Sequence, residues 1–306
     1  MGEFKLLSYQ AAGAARAGVL VEDRVYDASA LTGNSGYAAM LGILQDWKAA
    51  HALLKKKSFN PGKAKSIPLK KTKLLAPVPV PGAIFCAGAN YTDHMEEMAR
   101  AEGRPPGPNM KELGEKPWHF IKTPASIAGP GAVVKLPAYS KAVDWEIELA
   151  AVIGRTAKNV PAAKALDYVA GYTIANDLSA RDVMKREKVA AAAPFKFDWL
   201  SQKCFDGACP LGPWIVPAAQ IRDPHKLALK LWIGEELMQD SNTSRMIFDT
   251  AEQIEMLSSR VTLRPGDLVL TGTPAGVGMP RGRFLKPGET LRLWIESIGE
   301  MTHRVA

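Results

Sequence analysis

The run Asp144-Trp145-Glu146-Ile147-Glu148-Leu149-Ala150-Ala151-Val152-Ile153 is the most informative part of this 306-residue chain. It sets two carboxylates two positions apart in an otherwise apolar stretch, and in a strand residues i and i+2 point to the same face. Glu146 and Glu148 then face one site. Two buried like charges so close cannot both stay ionised without a cation or a shared proton. Oxygen-only ligation suits a hard divalent ion, magnesium first with manganese or calcium as alternatives, rather than zinc. The plainer alternative is a solvent-facing strand edge that uses the acids for solubility.

Composition narrows the classes. A chain with 47% hydrophobic and 23% charged residues is an ordinary globular protein. No stretch approaches 18 uninterrupted apolar residues, and the N-terminus lacks the blocks of a signal peptide, so a cytoplasmic protein without a membrane partner is expected. Cys86, Cys204 and Cys209 are odd in number and contain no CxxC pair, which argues against a disulfide framework and a zinc site. The formal charge of +8 is local. Residues 55–73 hold Lys55, Lys56, Lys57, Lys63, Lys65, Lys70, Lys71 and Lys73 and no acid, and outside them 31 basic residues face 31 acidic ones. With Pro61, Gly62 and Pro68 inside it and no interleaved aromatics, the segment reads as a solvated linker, and no nucleic-acid partner is expected.

Short apolar runs with turn-like breaks over 4–27 predict small strands or hairpins. Tyr37, Met40, Leu41, Leu44 and Trp47 recur at helical spacing and predict one amphipathic helix. Residues 1–73 are thus expected to form a small N-terminal α/β domain or arm with a lysine-rich linker, and 74–306 the larger domain. There, strand candidates at 83–87, 132–136, 146–153, 169–175, 227–233, 268–271 and 290–295 are punctuated by Pro and Gly. Helical patterns intervene only at 93–101, 161–168 and 249–260. This predicts a mixed, β-rich α+β fold, not a repeated βαβ array.

Four further segments carry chemistry. Gly88-Ala89-Asn90-Tyr91-Thr92-Asp93-His94 leaves a strand and enters a helix on which His94 and Glu97 share a face at i and i+3. They form a candidate acid/base pair, or an ordinary ion pair on a solvated helix, with Glu96 as a competing partner. Asp177 ends an apolar strand and is a candidate third oxygen ligand, with Arg181 four residues on to grip a substrate carboxylate. Alternatively Asp177 caps the next turn and Arg181 pairs with Asp182. Lys203, between apolar neighbours, is a candidate to polarise a carbonyl, or a surface lysine. The glycine-rich turn 271–278 lacks the ending of a phosphate-binding loop and reads as a tight turn bringing backbone N–H groups and the Thr273 hydroxyl close to a ligand.

Taken in order, GANYTDHMEE, FIKTPASI, VDWEIELAAVIG, YVAGYTIANDLSARD, KCFDGACPLGPWIV, LRPGDLVLTGTPAGVG and FLKPGE resemble the fumarylacetoacetate hydrolase family, isomerase- and acylpyruvase-like members included, over about residues 75–300. The resemblance implies a β-roll catalytic domain, a metal held by Glu146, Glu148 and Asp177, and usually a homodimer. It implies catalytic roles for His94, Glu97, Lys122 and Lys203, and substrate contacts from Arg181 and Thr273. The implied activity is hydrolysis of a carbon–carbon bond in a 2,4-dioxo acid of acylpyruvate or fumarylpyruvate type. The alternatives are an isomerase or decarboxylase of a hydroxymuconate-type or oxo diacid in aromatic catabolism, or a non-enzymatic binding protein. Many relatives carry a glutamine three residues after the arginine, where this chain has Met184. The resemblance implies that the helix of His94 and Glu97 is a lid, and the Pro-rich stretch from Met98 to Lys116 continues it.

Overall fold

In the computed structural model, which describes residues 3–11 and 13–306, the apolar run becomes the strand Ile147–Ile153, buried along its whole length. It pairs antiparallel with Val169–Asn176 on one side and Leu268–Leu270 on the other. Beyond Leu268–Leu270 lie Ile84–Ala87, parallel to it, and the edge strand His119–Lys122. On the opposite side the sheet continues through Cys209–Pro217, Lys5–Ala11, Ala14–Val21, Arg24–Asp27 and Ser66–Pro68, and it has 12 strands among the described residues.

The central strands are apolar on both faces because both faces are covered. Ile147, Leu149, Ala151 and Ile153 pack with Leu229, Leu231, Leu291 and Leu293 of a five-stranded sheet formed by Glu236–Asn242, Ala228–Ile233, Thr290–Ile295, Gly299–Val305 and Val133–Val134. Ala150 and Val152 point the other way and share a core with Leu31, Ile43, Leu44 and Leu54 of the N-terminal helices. By the period of two, Glu146 and Glu148 lie on this second face, just past the apolar layer.

The fold is mixed α+β and sheet-rich, as the strand spacing indicates, and the described strands form no closed barrel. Three local differences have physical causes. The helix expected through Tyr37 and Trp47 is a short 3₁₀ turn at Ser35–Ala38 and two helices, Met40–Gln45 and Trp47–Phe59. Tyr37, Met40 and Leu44 are buried, Trp47 is partly so and Leu41 is exposed, and non-helical Ala39 and Asp46 break the path. The lysine-rich stretch is structured rather than a linker: Lys55, Lys56 and Lys57 lie toward the end of Trp47–Phe59, where cations suit the helix dipole, and Ser66–Pro68 is a strand. Cys209–Pro217, which holds Pro210, Pro213 and Pro217, is a buried central strand that its prolines conceal. Among the described residues, no helix is long and apolar enough to cross a membrane.

Candidate active site

Strand register brings the three acids together. Ile147 lies opposite Asn176, so Glu146 and Asp177 meet across the ladder, and the Asp177 N–H donates to the Glu146 carbonyl at 2.9 Å. One oxygen from each of Glu146, Glu148 and Asp177 lies within 4.8 Å of the others, and all three side chains are buried.

Three cations surround them. Lys203 Nζ donates to Asp177 Oδ2 at 2.8 Å and to Glu146 Oε2 at 3.1 Å. Lys122 Nζ donates to Asp177 Oδ1 at 2.6 Å. Arg181 bridges Asp144 Oδ2 at 3.0 Å and Glu146 Oε1 at 2.6 Å. This arrangement drives the acids apart. Burial pushes Glu146 up, but Lys203 and Arg181 outweigh it and hold the carboxyl down to about 2. Glu148 has no such partner, and burial, then the charges of Asp177 and Glu146, raise it well above the carboxylate range. Its Oε2 accepts from the Gly272 N–H at 2.7 Å, while its Oε1 is buried without a partner among the described residues. A buried carboxylate oxygen left unpaired beside two more oxygen donors fits a hard divalent cation, which would compensate the charge and satisfy that oxygen.

The glycine-rich turn directs several of its N–H groups inward, onto the acids. Gly276 N–H donates to Glu97 Oε2 at 2.8 Å, and Gly278 and Met279 N–H donate to the two Asp144 oxygens at 2.6 and 3.1 Å. Only glycine permits this at 278, where a Cβ would stand 1.9 Å from the Arg283 carbonyl oxygen. The Thr273 hydroxyl is likewise turned inward, donating to the Ile147 carbonyl at 2.9 Å and accepting from Gln239 at 3.0 Å. Asp182, the alternative partner for Arg181, instead accepts from the Lys141 N–H.

Sequence reasoning missed the amides that fix this frame. Asn176 Oδ1 accepts the Glu146 N–H at 2.9 Å and Gln239 Oε1 the Ile147 N–H at 3.0 Å, so the start of the acid strand hangs on two side chains. Asn90 donates to the carbonyls of Thr271 and Phe248 at 2.8 and 2.9 Å, tying the loop before His94 to the end of Leu268–Leu270. Asn176 and Asp144 adjoin the acids in sequence, which is a signal; nothing in the sequence marks Gln239.

His94 and Glu97 lie on the helix Thr92–Ala101, with His94 Nδ1 4.0 Å from Glu97 Oε2, within ion-pair range. Burial raises Glu97, but His94, the Gly276 N–H and Arg281 prevail and lower it. His94 lines a cavity of about 180 Å³ together with Glu146, Arg181, Lys203, Thr273 and Met184; Glu148 and Asp177 are fully buried. Lys122 is buried and touches Asp177 and the Leu178 carbonyl. A larger hollow of about 420 Å³ lies between residues 111–117 and the helix Thr250–Arg260. It holds none of the acid cluster, so the smaller cavity is the candidate site.

A family model described as fumarylacetoacetate (FAA) hydrolase C-terminal matches residues 83–306. The chain is 41% identical over 241 residues to the mitochondrial oxaloacetate tautomerase Fahd2a of Rattus norvegicus, covering 78% of this chain and 71% of that one. Maleylpyruvate hydrolase from Sphingobium sp. SYK-6, solved with manganese(II) and pyruvate, is 29% identical with a TM-score of 0.75, over 99% of this chain and 98% of that one. The 2-hydroxyhepta-2,4-diene-1,7-dioate isomerase from Mycobacterium marinum is 31% identical with a TM-score of 0.71, over 99% and 98%.

Proposed function

The chain belongs to the fumarylacetoacetate hydrolase family, and from that membership we propose that it is a metal-dependent hydrolase of the carbon–carbon bond in a 2,4-dioxo acid. The observation that carries this reading is that His94, from a helix outside the acid hairpin, lines the same cavity as Glu146, Arg181 and Lys203. The solved maleylpyruvate hydrolase, with its manganese(II) and pyruvate, supports it.

A divalent cation on Glu146, Glu148 and Asp177 would supply Lewis-acid polarisation of the 2-oxo oxygen. Arg181 keeps N–H groups beyond those given to Asp144 and Glu146, and these bind the substrate carboxylate. His94 takes a proton from water as the water oxygen attacks the distal C4 carbonyl, and Glu97 stabilises the resulting imidazolium. The C3–C4 bond then breaks, its electron pair passes into the pyruvate enolate, and His94 returns the proton to C3. Water is thereby divided between a carboxylic acid and pyruvate. Lys203 lies beside the developing negative charge, and Lys122 positions Asp177.

Mass spectrometry of products from a panel of 2,4-dioxo acids, with manganese or magnesium against EDTA, tests the reading. Metal-dependent pyruvate plus a second acid is expected. Glu146→Ala and Asp177→Ala should abolish turnover, and His94→Ala should slow it about 10²- to 10⁴-fold with manganese binding intact. A His94→Ala protein that loses the metal would reassign the histidine.

A second reading, keto–enol tautomerisation of an oxaloacetate-like diacid, is favoured by the identity to the rat tautomerase. His94 would move one proton at C3 and no bond would break between carbons. A product of unchanged mass, with decay of the enol absorbance, would select it.

A further inference from the structure

One buried group in the cavity has no part in the chemistry above. Gln202 is fully buried and lines the cavity, yet neither its Nε2 nor its Oε1 has a hydrogen-bond partner among the described residues. It lies three residues after Trp199 on the helix Trp199–Lys203, so the two side chains share a face, and its neighbour Lys203 is the residue that bridges Glu146 and Asp177. A buried amide without partners costs stability and persists where something else uses it.

The surroundings of Gln202 are aromatic. Trp199 stacks with Phe120 at 5.6 Å and meets Trp118 at 4.8 Å between ring centroids, and all three line the cavity with Met184. Lys203 Nζ sits 4.7 Å over the Phe120 ring, so the apolar wall begins where the charged end stops. Trp118 is held there: its ring lies against Gly88, where a Cβ would come within 2.3 Å of it. Of the cavity's lysine and arginine, Lys203 is committed to Glu146 and Asp177, and Arg181 to Asp144, Glu146 and the substrate's first carboxylate. A second carboxylate on the distal part of a substrate would therefore lose water against rings and a thioether without gaining a free cation.

We propose that Gln202, Trp118, Phe120, Trp199 and Met184 form a subsite for an uncharged, apolar acyl group, with the Gln202 Nε2–H donating to the acyl oxygen. The inference rests on the proposed 2,4-dioxo acid chemistry and specifies its substrate: an acylpyruvate with a neutral alkyl or aryl acyl group, in preference to a dicarboxylate such as fumarylpyruvate or oxaloacetate.

The test uses the full-length, manganese-loaded protein with benzoylpyruvate and fumarylpyruvate, measuring binding by calorimetry and cleavage by pyruvate release. Benzoylpyruvate should be preferred at least tenfold in both. Gln202→Leu should lower kcat/KM for benzoylpyruvate roughly ten- to hundredfold while its melting temperature stays level or rises, because leucine removes an unsatisfied buried amide. A structural glutamine would lower both. Equal or better binding of fumarylpyruvate, or unchanged kinetics in Gln202→Leu, would overturn the subsite. If the intact protein binds benzoylpyruvate preferentially but cleaves neither compound, the hydrolase reading falls and the subsite stands.

Discussion

Glu148 is the residue on which the metal assignment turns. Its neighbours Glu146 and Asp177 have lysine partners, whereas it has one backbone donor and one unpaired oxygen. Burial and the two neighbouring charges raise its carboxyl well above the ordinary value, so without a cation its ionisation destabilises the fold. Glu148→Gln keeps the shape and removes that charge. The metal-free variant should melt at the same temperature as the parent or higher. Manganese at a hundredfold excess over Kd should stabilise the parent by about 2.7 kcal/mol, a rise of roughly 4 °C, and the variant far less. Scanning fluorimetry with and without manganese decides it, and an undiminished manganese shift in the variant would remove Glu148 from the ligand set. Glu97 behaves oppositely: the groups around it favour the ionised form. Glu97→Gln should therefore lower kcat without weakening manganese binding, a split that a pH–rate profile and a metal titration would show.

At the scale of elements, the acid hairpin depends on a strand from the second sheet. Gln239, on Glu236–Asn242, accepts the Ile147 N–H and donates to Thr273 and the Pro274 carbonyl at 2.9 Å. Gln239→Leu leaves the buried Ile147 N–H unpaired, at a cost of about 1–3 kcal/mol, and loosens Glu146 and Glu148 together with the turn. Urea unfolding should show the loss, with a fall in manganese affinity, and an unchanged midpoint would mean that the strand holds its place without the clamp. The same clamp marks where sequence reasoning stops. Glu146 and Glu148 were legible because strand alternation is local, and Asp177 because it ends an apolar run. His94 and Glu97 were legible because helical spacing is local too. Gln239 and Gln202 were not, since their partners or lack of them arise from contacts between distant segments. Cys209–Pro217 was hidden by its prolines, and the helix through Tyr37 by breaks that leave the apolar periodicity intact.

At the scale of the whole molecule, the N-terminal segment and the site share one core. Lys5–Ala11 pairs with Cys209–Pro217, whose other neighbour, Val169–Asn176, leads into Asp177, and Phe4, Leu6 and Val19 pack with Ile215 and Leu268. Deleting residues 1–73 should therefore expose a strand edge and an apolar layer, giving an insoluble fragment or one that does not bind manganese; a soluble fragment with parental affinity would show two independent units. The large sheet carries a half-buried histidine and the smaller sheet a buried one, and both bear on how the molecule responds to acid. Burial lowers His119, on the edge of the large sheet, to about 4, and His303, in the smaller sheet, also to about 4. Their folded values lie below the unfolded value of about 6.5, so between these limits the unfolded chain binds more protons and stability falls as pH falls. By pH 5 the loss is on the order of 2 kcal/mol per histidine. Glu146, held down to about 2, contributes stability that is present above its unfolded value and lost only as pH drops further, so it enters later. Glu148 has the opposite sign: its raised value means that stability increases as pH falls toward the ordinary carboxylate range, which masks part of the histidine loss in the metal-free protein. Urea midpoints at pH 7.5 and 5 should therefore fall more steeply in Glu148→Gln than in the parent. A variant whose midpoint does not move would mean that the two histidines take up protons while the sheets remain folded.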